Sequence, residues 1–185
     1  MKCLIYVTKS KPWLFFDKSI NYYSLSNKKV DNDLNGKIVA EFDGEVEEIF
    51  HKKVYPNNPQ RANFIKCHTK TMNTCGLLCK SMLRDIDIYE YIGNKNGWAI
   101  HIKNLEVFDK PKELKDYHIS YYNKDLKMMR EKYLEKAPQN MMKVYDKDGN
   151  EYILISIRPE WACKILNGEK TVEVRKQVLN CMKGN

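Results

Sequence analysis

Three charged side chains near the end of the chain have types and spacing suited to binding phosphate groups. The segment "GEKTVEVRK", residues 168–176, contains Lys170, Glu173 and Arg175. A lysine is a compact cation, and an arginine presents a planar fork of donors that fits phosphate oxygens. Glu173 and Arg175 are two positions apart, so on a strand they share one face and can pair. The alternative is an ordinary exposed ion pair, which contributes about 0–1 kcal/mol to stability.

A helix, a glycine and a strand must position these residues. Pro159 suits the first turn of a helix, and Gly168 is placed to end it. Val172 and Val174 then alternate with polar residues, which predicts a strand with one apolar face. Strict alternation puts Lys170 on the valine face, unless the turn at Gly168 rotates it.

The rest of the chain is rich in strand patterns. Helical spacing predicts one or two short helices over 74–92 and an amphipathic helix over 123–137, while 51–73 reads as polar and irregular. Apolar runs and turn signals predict a strand at 3–8 and a hairpin at 144–157. They also predict two strand pairs. The first, at 37–50, has a turn at Asp43-Gly44, and the second, at 97–111, has a turn near Lys103-Asn104. These elements predict an α+β protein with a small mixed β-barrel and helices packed against it.

Length, charge and cysteine usage limit the function classes. The chain has 185 residues and a net charge of +8, which makes a polyanion partner plausible. It has no run of about 18 apolar residues and no signal-peptide pattern, so we expect a cytoplasmic protein with no membrane partner. The six cysteines then read as reduced thiols. Cys67, His68, Cys75 and Cys79 do not have a common zinc-ligand spacing, so we expect no metal site.

The segment "ISIRPEWACKILNGEKTVEVRK", residues 155–176, resembles the opening of ASCH domains, a branch of the PUA-like superfamily. Gly168, Lys170 and Arg175 match the family signature Gly-x-Lys-x-x-x-x-Arg. The segments "CLIYVTKSKPWLFF", "GKIVAEFDGEVEEI" and "NGWAIHIKNLEVFDKPKEL" look like later parts of the same domain. The set is similar to ASCH proteins common in bacterial prophages, and it implies a barrel of PUA-like type.

The order of these segments differs from that of the family, because the signature block comes last in this chain. We interpret this as a circular permutation, in which 1–115 and 151–185 together form one ASCH/PUA-like domain. Residues 116–150 then supply a connecting helix and the start of a hairpin, and 170–176 pair near 3–8. The alternatives are a truncated tandem protein and a segment-swapped dimer in place of a monomer.

The resemblance also implies a ligand-binding cleft, because PUA-like barrels hold nucleic acid or nucleosides between charged and aromatic side chains. Trp13 can stack on a base, since every base offers a π-face, or it can cap the core of the barrel instead. Core packing is likewise the alternative for Tyr6. The expected cleft residues are Lys170, Glu173, Arg175, Lys176, Tyr6, Thr8, Lys9 and Trp13. His101 is expected to be a packed or hydrogen-bonded histidine rather than a base.

Three functions follow as expectations. The first is non-enzymatic binding of nucleic acid, RNA in particular, or of a modified nucleoside. The second is a small hydrolase, because some ASCH relatives are amidohydrolases of acetylated cytidine in which the signature lysine is catalytic. Lys170 matches that lysine, but Glu173 stands where those relatives have threonine, which argues against this particular activity. If the protein is an enzyme, the candidate catalytic residues are Lys170 and Glu173, the latter as a carboxylate base. The third is a mobile-element protein that binds a host protein through the added 116–150 region. Motifs for common cofactors do not occur, so no cofactor is expected.

Overall fold

The computed structural model describes residues 1–9, 34–54 and 64–183. In these ranges the chain forms nine β-strands and three α-helices, so the predicted α+β class is confirmed. In chain order the elements are β1 (Lys2–Val7), β2 (Ile38–Val54), β3 (Phe64–His68), α1 (Thr74–Ser81), α2 (Asp85–Ile92), β4 (Gly97–Lys112), β5 (Tyr117–Asn123), β6 (Met128–Tyr133), β7 (Met141–Asp146), β8 (Glu151–Ile157), α3 (Pro159–Leu166) and β9 (Val172–Arg175).

The strands follow the order β6-β5-β7-β8-β1-β2-β4-β9, and β3 pairs with β2 beside this path. A barrel closes only when the first and last strands of such an order pair with each other. In the described part of the chain β6 and β9 stand at the two ends of the order, so the sheet is open. The small barrel expected from the sequence is therefore not confirmed.

The chain divides into two compact units. Unit 1 contains Met1–Lys2, Phe42–Leu105 and Lys164–Asn185, and unit 2 contains Cys3–Glu41 and Glu106–Cys163. The long strands β2 and β4 contribute residues to both units. The predicted grouping of 1–115 with 151–185 as a single domain stays a prediction.

Unit 1 packs α1 and α2 on the apolar face of its strands, which confirms the two short helices predicted over 74–92. Asn73 begins α1 because its side chain accepts a hydrogen bond of 2.9 Å from the Gly76 amide. Met82 ends the helix in a left-handed conformation, with φ of 56°. The buried core consists of Ile49, Cys67, Met72, Leu77, Ile88, Ile92, Ala99, Val172 and Val174.

Unit 2 contains β5, β6, β7 and β8, nearly all of β1, the first residues of β2, the last residues of β4 and most of α3. β1 runs parallel to β8, with Cys3 opposite Ile153 and Val7 opposite Ile157. The strand that precedes α3 thus lies beside the first strand of the chain. The buried core consists of Leu4, Tyr6, Ile38, Tyr117, Leu134, Val144 and Leu154.

The amphipathic helix predicted over 123–137 is wrong, because this segment forms the turn and second strand of a hairpin. The side-chain oxygen of Asn123 accepts hydrogen bonds of 3.0 Å from the amides of Asp125 and Leu126. Lys127 then takes a left-handed conformation with φ of 49°, which reverses the chain. This turn and the pairing with β5 override the helix propensity of the lysines, methionines and glutamates.

Two predicted turns are also wrong, because β2 and β4 each run through them as one strand. At Gly44 the amide donates a hydrogen bond of 2.8 Å to the carbonyl of Met1, which keeps it in regular pairing. Asn104 has φ of 50° inside β4, as in a β-bulge, and its side chain donates to Asp43 at 2.8 Å. The interval 51–73 is less irregular than predicted, since β2 extends to Val54 and β3 follows. The hairpin at 144–157 is confirmed as β7 and β8.

Candidate functional site

The backbone before β9 forms a compact turn that determines where Lys170 points. Gly168 has φ of 75°, and its amide donates to the carbonyl of Ile165 at 2.9 Å. The amides of Glu169 and Lys170 both donate to the carbonyl of Lys164, at 2.9 and 3.0 Å. The predicted helix and its glycine end are therefore confirmed. Because β9 begins only at Val172, strand alternation does not extend back to Lys170.

Within β9, the predicted alternation is confirmed. Val172 and Val174 face the core of unit 1. Glu173 pairs with Ile100 and Arg175 with Trp98 in the antiparallel β4–β9 ladder, so the two charged residues share the opposite face. The predicted pairing of 170–176 with the first strand is wrong, because β9 pairs with β4 and β1 pairs with β8.

Lys170 reaches the C-terminal end of α1. Its ammonium donates a hydrogen bond of 2.7 Å to the carbonyl of Ser81, the last residue of that helix. The amide of Thr171 donates to the neighbouring carbonyl of Lys80 at 3.0 Å. A cation at this position is favoured, because the final carbonyls of a helix carry partial negative charge. The helix end therefore fixes the lysine in place.

Three charged residues form one buried group, which we call the Lys170 cluster: Lys170, Glu173 and Arg175. The Glu173 carboxylate lies 3.4 Å from the Lys170 ammonium and 3.0 Å from the Arg175 guanidinium. The exposed fraction of the side chain is 2% for Lys170, 12% for Glu173 and 10% for Arg175. The alternative of an ordinary exposed ion pair is therefore wrong.

Burial changes the chemistry of this cluster. Desolvation lowers the pKa of Lys170 below its ordinary value of 10.5, against the opposing attraction of Glu173. Two cationic groups share one carboxylate here, and breaking such a buried arrangement costs far more than breaking an exposed pair. Stability alone does not call for a cluster of this kind, because well-packed apolar residues can replace one at no loss. Buried groups with shifted pKa values are characteristic of functional sites.

The other predicted site residues that the structure describes are Lys176 in unit 1 and Tyr6, Thr8 and Lys9 in unit 2. Lys176 is exposed, with its ammonium 5.2 Å from the centre of the Tyr91 ring. In unit 2, Tyr6 is buried in the core, which confirms core packing for it, and burial raises its pKa. Thr8 is half-buried at the end of β1, and its amide donates a hydrogen bond of 2.9 Å to the carbonyl of Ile157.

Lys9 is exposed in unit 2, and its side chain passes over the Cα atom of Gly36 on the side where other residues carry a Cβ atom. A Cβ atom at Gly36 would come within 2.5 Å of the lysine Cε atom, so the glycine makes room for this side chain. Trp13 lies outside the described residues, and its stacking role stays a prediction.

Unit 1 contains a second group of polar side chains, which was not predicted from the sequence. The Glu47 carboxylate accepts hydrogen bonds from the hydroxyls of Thr69 at 2.9 Å and Thr71 at 2.7 Å. It also lies 2.8 Å from Nε2 of His101, which confirms that this histidine is hydrogen-bonded. Burial opposes ionisation of Glu47, but the hydrogen bonds from Thr71, His101 and Thr69 together lower its pKa. An open concavity of about 420 Å³ adjoins the two threonines, lined by residues 68–74.

The sequence held only a weak signal for this group. Glu47 and His101 stand on different strands, and the two threonines fall in the interval that reads as irregular. Only the folded chain brings them together. In the described ranges, no group of three or more histidine, cysteine or acidic side chains is placed to hold a metal ion. Of the cysteines considered as ligands, Cys67 is buried, whereas Cys75 and Cys79 are exposed on α1.

These features define a mixed α+β protein with a buried cluster of charge in unit 1. No protein-family model, curated protein or solved structure matches the chain. No helix in the described part of the chain is long and apolar enough to cross a membrane.

Proposed function

We propose that this protein binds RNA or a modified nucleoside, without catalysis, through the Lys170 cluster. The observation that carries the proposal is the burial of Lys170, Glu173 and Arg175 in one hydrogen-bonded group. The position of this group in the segment that resembles an ASCH signature supports the same conclusion. The resemblance also suggests a PUA-like barrel with a permuted chain order. We place the binding in the cytoplasm, because the six cysteines read as reduced thiols.

The composition of the cluster favours a base over a phosphate as its ligand. Arg175 and Lys170 are donors, and the Glu173 carboxylate between them accepts hydrogen bonds. A phosphate offers only acceptors and would be repelled by the carboxylate. The edge of a nucleobase offers both donors and acceptors, as the amino group and ring carbonyl of cytosine do. Glu173 and Arg175 keep 12% and 10% of their side chains exposed, against 2% for Lys170, so a base edge would approach the cluster from these two residues.

The test measures binding of cytidine, N4-acetylcytidine and a labelled single-stranded oligo(C) RNA to the full chain and its variants. Glu173→Gln replaces acceptors with a mixed amide of similar shape, and Arg175→Lys keeps the charge but loses the planar fork. Both should weaken binding by about tenfold, which is the effect of roughly 1.4 kcal/mol. Lys176→Ala is the matched control, since Lys176 is adjacent but exposed.

Thermal unfolding of each variant separates loss of binding from loss of the fold. Wild-type affinity in folded Glu173→Gln and Arg175→Lys proteins would refute the role of the cluster. A strong loss in Lys176→Ala alone would place the ligand on the surface outside it. For RNA, the dependence of affinity on salt concentration also reports how many phosphates are contacted.

One observation favours a second function, hydrolysis of an acetylated nucleoside. A buried lysine with a lowered pKa, 3.4 Å from a carboxylate, is suited to base or nucleophile chemistry. In such a reaction water adds to the acetamide, and acetate and the free amine are released. Release of acetate from N4-acetylcytidine by the wild type, lost in Lys170→Met, would establish this function in place of simple binding. Binding without acetate release would exclude it.

A further inference from the structure

The β5–β6 hairpin of unit 2 exposes an unusual number of large apolar side chains. Tyr122 is 56% exposed and Met129 is 58% exposed. The exposed large apolar residues of this hairpin are Tyr121, Tyr122, Leu126, Met128, Met129 and Tyr133. Tyrosine, methionine and arginine are enriched in protein interfaces, and contiguous exposed apolar surface commonly marks one.

The outer edge of this hairpin has backbone groups available for pairing. In the described part of the chain β6 is the first strand of the order, with β5 as its neighbour. The Leu134 amide donates to the Tyr117 carbonyl at 2.9 Å, which identifies these two as a hydrogen-bonded pair of the ladder. Antiparallel pairs alternate, so the backbone groups of Met129, Glu131 and Tyr133 point away from β5.

The two faces of β6 differ in character. One face of β6 carries Arg130 and Lys132 together with Met128. The other face carries Met129 and Tyr133 with Glu131 between them, and Met129 lies opposite Tyr122. A strand added beside β6 would therefore place alternate side chains next to cations and next to apolar groups.

We propose that β6 is a docking edge for an extended protein segment in which acidic and apolar side chains alternate. Main-chain hydrogen bonds to the outward groups of β6 provide affinity, and the alternation provides specificity. The acidic side chains lie beside Arg130 and Lys132, and the apolar side chains lie beside Met129 and Tyr133. This proposal is independent of ligand binding at the Lys170 cluster.

Two other occupants fit less well. A second copy would pair antiparallel about a two-fold axis, and the central registers set Arg130 against Arg130 or Glu131 against Glu131. Like charges directly opposite each other destabilise a strand pair. A nucleic acid would meet mixed charge, because Asp125 and Glu131 accompany the hairpin cations. It would also leave the outward backbone groups of β6 without strand partners.

Binding of labelled synthetic peptides to the full chain tests the proposal. A peptide of four Val-Glu repeats should bind saturably, and a peptide of four Val-Lys repeats should not bind at the same concentrations. The double variant Arg130→Glu, Lys132→Glu should reverse this preference. Equal binding of both peptides would show that the surface binds peptides without charge selectivity. That result, or no binding of the Val-Glu peptide, would overturn the proposal.

Substitution of proline for Glu131 tests the backbone pairing. Proline removes the outward amide but leaves the hydrogen bonds to β5, so binding should weaken by about tenfold, or roughly 1.4 kcal/mol. Glu131→Ala is the matched control and should stay within about twofold of the wild type, or roughly 0.4 kcal/mol. Equal binding by the two variants would overturn the proposal.

An N-methylated Val-Glu peptide gives the same test with unaltered protein, should the proline variant fail to fold. It should bind about tenfold more weakly, and unchanged affinity would contradict strand addition. A labelled oligo(U) RNA forms the last arm. RNA binding that depends on Arg130 and Lys132, without Val-Glu peptide binding, would overturn the proposal in favour of a nucleic-acid surface.

Discussion

The Lys170 cluster and the β5–β6 hairpin reverse the usual distribution of polar and apolar groups in opposite ways. In unit 1, three charged side chains are almost completely buried. In unit 2, tyrosine and methionine side chains of the hairpin are about half exposed. Charged residues are rarely buried unless paired, and large apolar patches are rarely left in water. Each arrangement therefore has a cost in folding free energy, and folding alone does not explain why the protein keeps it.

The difference between the two regions lies in what holds them in place. The Lys170 cluster is held in place by the end of α1, by the turn at Gly168 and by the β4–β9 ladder, so the fold itself determines its geometry. The hairpin is fixed at its base, where Tyr117 and Leu134 enter the core of unit 2, and it is exposed towards its tip. The first arrangement suits selective recognition of a small polar group, and the second suits addition of a partner strand.

The largest expected effect on stability comes from removing the carboxylate of the cluster. Glu173→Ala leaves two buried cations without their shared anion, so the free energy of unfolding should fall by about 3–5 kcal/mol. The matched exposed pair is Lys143 and Glu151, at 2.6 Å. Glu151→Ala should cost at most about 1 kcal/mol. Urea unfolding followed by circular dichroism measures both.

Replacement of the whole cluster refines this comparison. A triple variant with Met, Leu and Met at positions 170, 173 and 175 removes every charge at once. It should be more stable than Glu173→Ala, because apolar side chains of similar volume fill the space without unpaired charge. If Glu173→Ala were no worse than Glu151→Ala, the cluster would behave as an exposed ion pair.

The second expected effect is a pH dependence that belongs to Lys170. Its pKa in the folded protein lies below 10.5, the ordinary value expected in the unfolded chain. Between the folded pKa and 10.5, the unfolded chain therefore binds a proton that the folded chain has released. The free energy of unfolding attributable to Lys170 should therefore rise with pH there, by up to about 1.4 kcal/mol per pH unit, and be lost again as pH falls.

The difference between the wild type and Lys170→Met isolates this rise. Burial raises the pKa of Tyr117 and raises that of Cys67 to about 12, which favours unfolding at alkaline pH. Both groups are present in both proteins, so their contribution cancels in the difference. A difference curve without slope up to pH 10.5 would mean that Lys170 ionises normally in the folded chain.

The sequence predicted the turn and strand around the cluster because local chemistry determines them. Pro159, Gly168 and the alternating valines each act within a few residues, and all three patterns appear in the structure. Burial of the cluster was not predictable in this way. It depends on the carbonyl of Ser81, a residue far away in the chain whose position only the fold of unit 1 determines.

The hairpin shows the opposite outcome, in which a local pattern was misleading. The segment after Asn123 is rich in helix-forming residues, and its apolar spacing fits a helix. The competing signals were the capping side chain of Asn123 and the pairing of its neighbours with the tyrosines of β5. Pairing between strands is a tertiary effect, so propensity within the segment could not reveal it.

The smallest expected effect is the loss of exposed apolar side chains from the hairpin. Tyr122→Ser and Met129→Ser should each change the free energy of unfolding by no more than about 0.5 kcal/mol, since neither side chain is in the core. The same variants should weaken binding of the Val-Glu peptide, because each removes one apolar side chain of the Tyr122–Met129 pair beside the docking edge. Peptide anisotropy and urea unfolding on the same samples give both quantities. A stability loss comparable to that of Glu173→Ala would mean that these side chains support the fold, and the exposed hairpin would then lose its distinction from the buried cluster.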